Sequence, residues 1–195
     1  PRQDAAHGVK GNSWGGRPWH LDESLHYSNW CADSAINFLE RRDPTRPFFL
    51  NVSFFHPHPP CTPPQMYYDR YQHMELPEPV CGDWARVFDE PSRGTAVDAW
   101  RINPPAALMK QFRAAYYGSI NHIDDQVRRV LDALPPNTII VYCSDHGEML
   151  GDHQWLRKCL PYEQSARIPY FLQFPESFGM NQTTVRDEPV ELMDL

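Results

Sequence analysis

The sequence has no long hydrophobic run, no closely paired cysteines and no excess of basic residues. No segment approaches the roughly 18 to 20 apolar residues that a membrane-spanning helix needs, so a membrane protein is not predicted. The net charge is −7 at pH 7, which argues against general nucleic-acid binding because that activity needs a basic surface. An anionic ligand would therefore need a local cationic pocket and a metal.

The five cysteines are odd in number, and none is spaced as Cys-x-x-Cys. This pattern supports neither a zinc site nor a framework of disulfides. Internal repeats and low-complexity segments are also absent from the sequence. A length of 195 residues is enough for one domain with a real core and marginal for two.

Proline, by contrast, is abundant: the sequence has 20 prolines, and clusters of them lie at 57–64, 77–79, 104–105 and 135–136. Aromatic residues surround these clusters, which indicates ordered turns rather than a disordered tail. The pattern predicts one long irregular segment over residues 56–103. A loop of that length inside a domain is usually functional.

Two helices are predicted from apolar spacing. Ser28 is a suitable N-cap for a helix that runs to about Arg42. Pro104-Pro105 opens a second helix, in which apolar residues recur every three or four positions over residues 108–134. Asp124 and Asp125 are expected on its solvated face.

Three short apolar runs, at residues 48–55, 139–143 and 168–174, predict core strands. Because a long helix separates the first two, the order predicts a strand-helix-strand unit with parallel strands. The predicted fold class is therefore α/β, with a mixed or parallel sheet flanked by helices.

The most informative segment is Ser144–His153, which follows the predicted strand 139–143. Asp145 and His146 lie at the carboxyl end of that strand, where open α/β sheets place their ligand sites. A carboxylate beside an imidazole, followed by Gly147, can turn both groups toward one cation. Lys158 lies five residues after His153 and offers an ammonium group suited to an anion.

The ordered pattern S-D-H-G-x-x-L-G-D-H, followed by Trp155, Lys158 and the segment 162–169, resembles the sulfatase family of the alkaline-phosphatase-like superfamily. The resemblance extends upstream to residues 47–60 and 116–134 and covers roughly residues 26 to 174. It implies an alkaline-phosphatase-like sandwich with a central, mostly parallel sheet and helices on both faces. It also implies that residues 1–195 are the central part of a sulfatase catalytic domain.

The same resemblance assigns roles to individual residues. Asp145 and His146 are expected to ligate a divalent metal, which is calcium in most sulfatases. Imidazole is a less natural calcium ligand than oxygen, so manganese, magnesium or zinc remain alternatives. Lys158 is expected to neutralise the sulfate, with Arg157 as a competing candidate.

His58 is the expected catalytic histidine, because the family pattern His-x-His-x-Pro places it on the sulfate. The near-neutral pKa of histidine suits protonation of the leaving oxygen. His56 is the rival substrate-binding residue, since it would face the same way in an extended segment. The four groups of His58, Asp145, His146 and Lys158 are predicted to converge on one cleft. Asp152 and His153 are expected to brace the loop or, at most, to lie at the rim of the pocket.

The formylglycine motif C/S-x-P-x-R of sulfatases does not occur in the sequence. A partial match, Cys61-Thr62-Pro63-Pro64-Gln65, has Gln where the motif has Arg, so Cys61 is not expected to be the nucleophile. The early Asp-Asp metal pair and the C-terminal subdomain of the family are missing too. The expectation is that a segment outside this sequence supplies the formylglycine.

The predicted function is hydrolysis of a small sulfate ester or a sulfated sugar, with no nucleic-acid or membrane partner. A phosphonate monoester hydrolase or phosphodiesterase of the same superfamily is an alternative. A non-catalytic module that binds a sulfated glycan is another. The resemblance favours a periplasmic or secreted protein, and a cytoplasmic one stays open. The sequence does not predict the oligomeric state.

Overall fold

The computed structural model describes residues 12–88, 100–180 and 184–195. The chain divides into two units by its internal contacts. The first unit comprises Pro1–Ala133 and Leu150–Leu156, and the second comprises Leu134–Met149 and Arg157–Leu195. In the described ranges, no helix is long and apolar enough to cross a membrane.

The first helix of unit 1, α1, spans Tyr27–Arg41, and its N-cap lies two residues before the predicted one. Its N-cap is His26, whose Nδ1 accepts a hydrogen bond from the backbone N–H of Ser28 at 3.1 Å. The predicted cap at Ser28 is therefore wrong. An imidazole nitrogen here replaces the hydroxyl oxygen that usually satisfies the first N–H groups of a helix.

The long helix predicted over residues 108–134 is confirmed as α3, which spans Ala106–Asp132. Pro105 is its N-cap, a position where the missing N–H of proline costs no helical hydrogen bond. Its inner face, spaced by three or four residues, includes Phe112, Ala115, Ser119, His122 and Ile123. Asp124 and Asp125 are exposed, as predicted.

The predicted loop 56–103 contains a further helix, α2, at Gln65–Gln72, and a 3-10 turn at Asp83–Phe88. The prediction of one irregular segment is therefore wrong for these residues. α2 packs against α3, and Tyr67 of α2 donates its hydroxyl hydrogen to Asp125 at 2.8 Å. Residues 89–99 lie outside the described residues.

Residues 48–55 form no strand, contrary to the prediction. Their burial alternates from residue to residue, as is typical of an extended chain, and Leu50 and Val52 pack against Ala32, Ala35 and Val130 of the two long helices. The other face is open, and Phe49 is 93% exposed. A strand needs a hydrogen-bonded neighbour as well as an apolar sequence, and no other described segment forms a ladder with this one.

Unit 2 contains strands β1, at Ile140–Cys143, and β2, at Tyr170–Gln173. They pair antiparallel, with Ile140 opposite Gln173 and Cys143 opposite Tyr170. Both strands lie inside the predicted ranges 139–143 and 168–174. The expected parallel pairing is not found among the described residues. An apolar run predicts that a segment is a strand, but it does not predict whether its partner strand runs parallel or antiparallel to it.

Candidate functional site

Asp145 and His146 follow directly on the carboxyl end of β1, as predicted. The carboxylate oxygen Oδ2 of Asp145 lies 3.5 Å from Nε2 of His146. The other ring nitrogen of His146, Nδ1, donates to the carbonyl oxygen of Gly147 at 2.8 Å. In the neutral ring, that bond leaves an unshared electron pair on Nε2 beside the carboxylate.

This pair fits a divalent cation. An electron pair and a carboxylate at 3.5 Å repel each other unless a positive charge lies between them or on the ring. The side chain of Asp145 is 81% exposed and that of His146 is 30% exposed, so an ion can reach both. Within the described ranges, no group of three or more His, Cys, Asp or Glu side chains could hold a metal ion.

The turn that carries the pair is packed against one short helix of unit 2, α4, at Glu163–Ala166. The backbone N–H of Gly147 donates to the carbonyl oxygen of Ser165 at 2.8 Å. A Cβ atom on Gly147 would lie 2.1 Å from the carbonyl oxygen of Gln164. Only glycine therefore allows this backbone contact, which fixes the turn next to Asp145 and His146.

Ser144 supports the same turn from the strand side. Its hydroxyl group lies 3.0 Å from the carbonyl oxygen of His146 and 3.5 Å from Oδ1 of Asp145. The first contact ties the backbone of the pair to the end of β1. The second contact is at the outer limit of a hydrogen bond, and the Asp145 side chain is still 81% exposed.

Lys158 also belongs to unit 2, where it is half-buried. The backbone of the preceding residue, Arg157, is held at both ends. Its carbonyl oxygen accepts from the N–H of Met149 at 2.8 Å, and its N–H donates to the carboxylate of Glu148. The segment between the two strands thus returns to the Asp-His turn just before Lys158.

Residues Leu150–Leu156 belong to unit 1, where Asp152 and His153 brace the chain as predicted. Asp152 Oδ1 accepts from the N–H of Val80 at 3.0 Å, and His153 Nδ1 accepts from the N–H of Gly82 at 3.1 Å. Both side chains are thus engaged with backbone groups of a neighbouring loop.

This stretch of chain has an unusual backbone. Of the described non-glycine residues with positive φ, all but Asn12 lie in residues 150–159, and they are Leu150, His153, Gln154, Arg157 and Cys159. Such angles are uncommon outside glycine and concentrate at functional sites, where contacts over-determine them.

His58 lies in unit 1, at the proline-rich turn after the extended segment. Its Nδ1 donates to the carbonyl oxygen of Pro59 at 2.8 Å, and its ring lies 5.0 Å from that of Phe55. The side chain is half-buried. Asp145, His146 and Lys158 belong to unit 2, so the convergence of the four groups stays a prediction.

His56 differs from His58 because it is 4% exposed and lies within a cluster of three buried histidines. The ring of His26 is 4.8 Å from that of His56 and 4.5 Å from that of His122. Burial, and then the neighbouring rings of His26 and His122, lower the pKa of His56 to about 3. These facts favour His58 over His56 as the residue that meets a substrate.

No local signal in the sequence predicts this histidine cluster. His26 lies before the predicted helix, and His122 lies far along the chain on α3. The position of His122 on the inner face of α3 follows from the three-to-four spacing, but the spacing does not name its partners. Burial, followed by the ring of His26, lowers the pKa of His122 to about 3.

Cys61 is fully buried and its Sγ lies 3.6 Å from the carbonyl oxygen of Pro57. It belongs to the apolar core that includes Tyr68, Phe112 and Leu150. A nucleophile must reach its substrate, so this buried environment supports the expectation that Cys61 is not the nucleophile.

Residues 10–195 match the family model of sulfatases. The chain is 47% identical over 196 residues to an arylsulfatase of Clostridium perfringens, with 96% of this chain and 40% of that protein covered. A similar solved structure is a phosphonate monoester hydrolase of Agrobacterium radiobacter, at 25% identity and a TM-score of 0.69, covering 87% of this chain and 37% of that chain. Another was solved with its substrate D-glucosamine-2-N,6-O-disulfate, at 22% identity and a TM-score of 0.62, covering 77% of this chain and 43% of that chain. The chain thus spans less than half the length of each of these proteins.

Proposed function

Because the chain belongs to the sulfatase family, we propose that it carries metal-binding and sulfate-binding residues of a sulfate ester hydrolase. The observation that carries this proposal is the Asp145–His146 pair, with Oδ2 and Nε2 3.5 Å apart at the end of a strand. The braced segment that leads to Lys158 supports it. Identity of 47% to a protein named arylsulfatase supports the reaction class.

Asp145 and His146 are proposed to hold a divalent cation through Oδ2 and Nε2. The bound cation would polarise an oxygen of the sulfate as a Lewis acid. Calcium prefers oxygen ligands, whereas imidazole suits softer ions, so the donor pair is compatible with calcium, manganese, magnesium or zinc.

Lys158 is proposed to bind the sulfate, because an ammonium group offsets negative charge on the non-bridging oxygens. His58 is proposed to give a proton to the leaving oxygen. The hydrogen bond from Nδ1 to Pro59 orients the ring, so Nε2 is the nitrogen proposed for that task.

The nucleophile is proposed to be a formylglycine outside this sequence, since the sequence has no C/S-x-P-x-R motif. Its aldehyde hydrate would attack sulfur. The burial of Cys61 and the Gln at position 65 both support a nucleophile from elsewhere. The proposed substrates are small sulfate esters or sulfated sugars.

The test is turnover of p-nitrophenyl sulfate by the full-length protein that contains this chain. Asp145→Asn and Lys158→Ala should each reduce kcat/KM by on the order of 100-fold, since each removes a charge aimed at the reacting group. The matched control is Asp187→Asn, which removes an exposed carboxylate of the same unit. No turnover by the wild type after metal addition, or equal loss in the control, would contradict the proposal.

A phosphonate monoester hydrolase is the second candidate, favoured by the solved structure from Agrobacterium radiobacter. The same metal pair and lysine would serve a phosphonate oxyanion. The ratio of kcat/KM for p-nitrophenyl sulfate and p-nitrophenyl phenylphosphonate separates the two. A ratio above one supports the sulfatase, and a ratio below one supports the phosphonate hydrolase.

A further inference from the structure

Glu148 and Met149 hold the backbone of Arg157, the residue before Lys158, from both sides. The Glu148 carboxylate accepts from the Arg157 N–H. The Met149 N–H donates to the Arg157 carbonyl oxygen at 2.8 Å. These two contacts fix both peptide groups of Arg157, so they also set the direction in which the chain enters Lys158.

The backbone on either side of Lys158 needs such support. Arg157 has φ of 69° and Cys159 has φ of 74°. Residues with a Cβ atom adopt these angles rarely, because the side chain approaches the backbone carbonyl. Contacts elsewhere must therefore hold the chain in this form. The carboxylate is a strong acceptor for a backbone N–H, since a charged partner strengthens the bond.

We propose that Glu148 is a positioning residue that sets the place of the Lys158 ammonium group, an inference that rests on the function proposed above. A lysine side chain has many rotamers, and fixing its point of origin reduces the space that the ammonium group samples. Glu148 acts through Lys158 and does not touch the sulfate.

The alternative role for Glu148 is that of a metal ligand, because it lies three residues after Asp145 and is itself a carboxylate. A metal ligand must direct an oxygen at the ion, whereas Oε1 of Glu148 is directed at the Arg157 N–H. The two roles differ in a Gln variant. Gln keeps an acceptor oxygen for the N–H but loses the charge that a metal ligand or an acid–base group needs.

The experiment uses the full-length protein with Glu148→Ala, Glu148→Gln, Lys158→Ala and the double variant Glu148→Ala/Lys158→Ala. Glu176→Ala is the control, because Glu176 is an exposed carboxylate in the same unit. Turnover of p-nitrophenyl sulfate is measured alongside deuterium exchange at the Arg157 amide.

Glu148→Ala should lower kcat and speed Arg157 exchange, each by on the order of 10-fold, the loss expected for one charge-assisted hydrogen bond. Glu148→Gln should stay within about 3-fold of the wild type, because a neutral bond replaces the charged one. The double variant is the most diagnostic. Its kcat should be no lower than that of Lys158→Ala, because the losses caused by substituting residues that act as one unit are not additive.

Additive losses in the double variant would overturn the proposal, as would a Gln variant as slow as the Ala variant with Arg157 still protected. Faster exchange throughout β1 and β2 would indicate a general loss of stability and would overturn it too. Unchanged Arg157 exchange in Glu148→Ala rejects the backbone contact whatever the activity. Absent wild-type turnover rejects the proposed function whatever the exchange.

Discussion

At the scale of single residues, Gly147 determines how closely the Asp-His turn approaches α4. Gly147→Ala would bring Cβ to 2.1 Å from the carbonyl oxygen of Gln164, so the turn must move. We expect a loss of about 1–3 kcal/mol in unfolding free energy, typical of an overpacked site, together with weaker metal binding by the full-length protein. Thermal unfolding and calorimetric metal titration measure the two effects.

The control for this change is Gly179→Ala. Gly179 has φ of 62°, but a Cβ atom added there would meet no atom within 4 Å. The control therefore incurs the strain of a left-handed alanine without a clash near the pair. Unaltered metal binding in Gly147→Ala would contradict the packing argument.

The buried histidines make stability depend on pH. The pKa of His56 falls from 6.5 to about 3 in the folded protein, so the unfolded chain binds the proton more readily. The stabilising effect of the neutral ring is complete above about pH 6.5 and is lost as the pH falls toward 3. Other groups near the cluster include Tyr27, His58 and, beside His122, Glu23.

His56→Phe should flatten this dependence, because phenylalanine does not titrate. Between pH 7 and pH 5 the wild type should lose roughly 2 kcal/mol more unfolding free energy than the variant. Urea unfolding at each pH measures the difference. The control His73→Gln removes an exposed histidine and should leave the slope unchanged. Identical slopes for wild type and His56→Phe would refute the assignment.

At this scale the sequence predicts the positions of residues that are neighbours along the chain, whereas their roles stay predictions. Asp145, His146 and Gly147 are consecutive, so their proximity follows from the chain itself. The cap of α1 was missed because Ser28 is the usual choice and His26 is a rare one. The histidine cluster was missed because it joins distant parts of the chain.

At the scale of elements, Arg113 links α3 to the start of the Leu150–Leu156 loop. Its guanidinium donates to the carbonyl oxygen of Leu150 at 2.9 Å, and the residue is 6% exposed. Arg113→Met should lower the unfolding free energy by about 1.5–3 kcal/mol, the range for a hydrogen bond from a charged group. Urea unfolding measures this loss.

Arg128→Met is the matched control on the same helix. Arg128 pairs with Asp132 at 3.9 Å, and its side chain is 81% exposed. Exposed pairs of this kind contribute little. If Arg113→Met and Arg128→Met lowered the unfolding free energy equally, the hydrogen bond from Arg113 to Leu150 would not contribute the expected stability.

Helices were easier to predict than strands. The spacing within α3 is a property of 27 consecutive residues and identifies one buried face. Residues 48–55, β1 and β2 were recognised as extended, but a ladder depends on a partner elsewhere in the chain. The apolar runs hold no information about whether that partner is present, parallel or antiparallel.

At the scale of the whole molecule, the α/β fold class and the sulfatase family predicted from the ordered motifs are confirmed. The order of several motifs along a chain identifies a family specifically, even when each motif alone is a weak signal of that family. The roles of His58, Lys158, Asp145 and His146 stay predictions, because their convergence depends on long-range arrangement that motif order does not encode.

Among the described residues, the candidate metal site has one carboxylate, of Asp145, and one imidazole, of His146. We expect the purified 195-residue chain to bind Ca²⁺ or Mn²⁺ only weakly, with Kd above roughly 1 mM, since calcium typically takes six to eight oxygen ligands. It should also show no turnover of p-nitrophenyl sulfate. Calorimetry and a colorimetric assay measure these outcomes, and robust turnover would bring Cys61 back into consideration.

The open face of residues 48–55 has a consequence for handling the protein. Phe49 is 93% exposed and Phe55 is 56% exposed on an extended segment that pairs with no other described strand. Exposed apolar side chains of this kind favour aggregation between copies of the isolated chain. Solubility of the isolated chain will therefore be limited by concentration, and a charged residue in place of Phe49 is the first remedy.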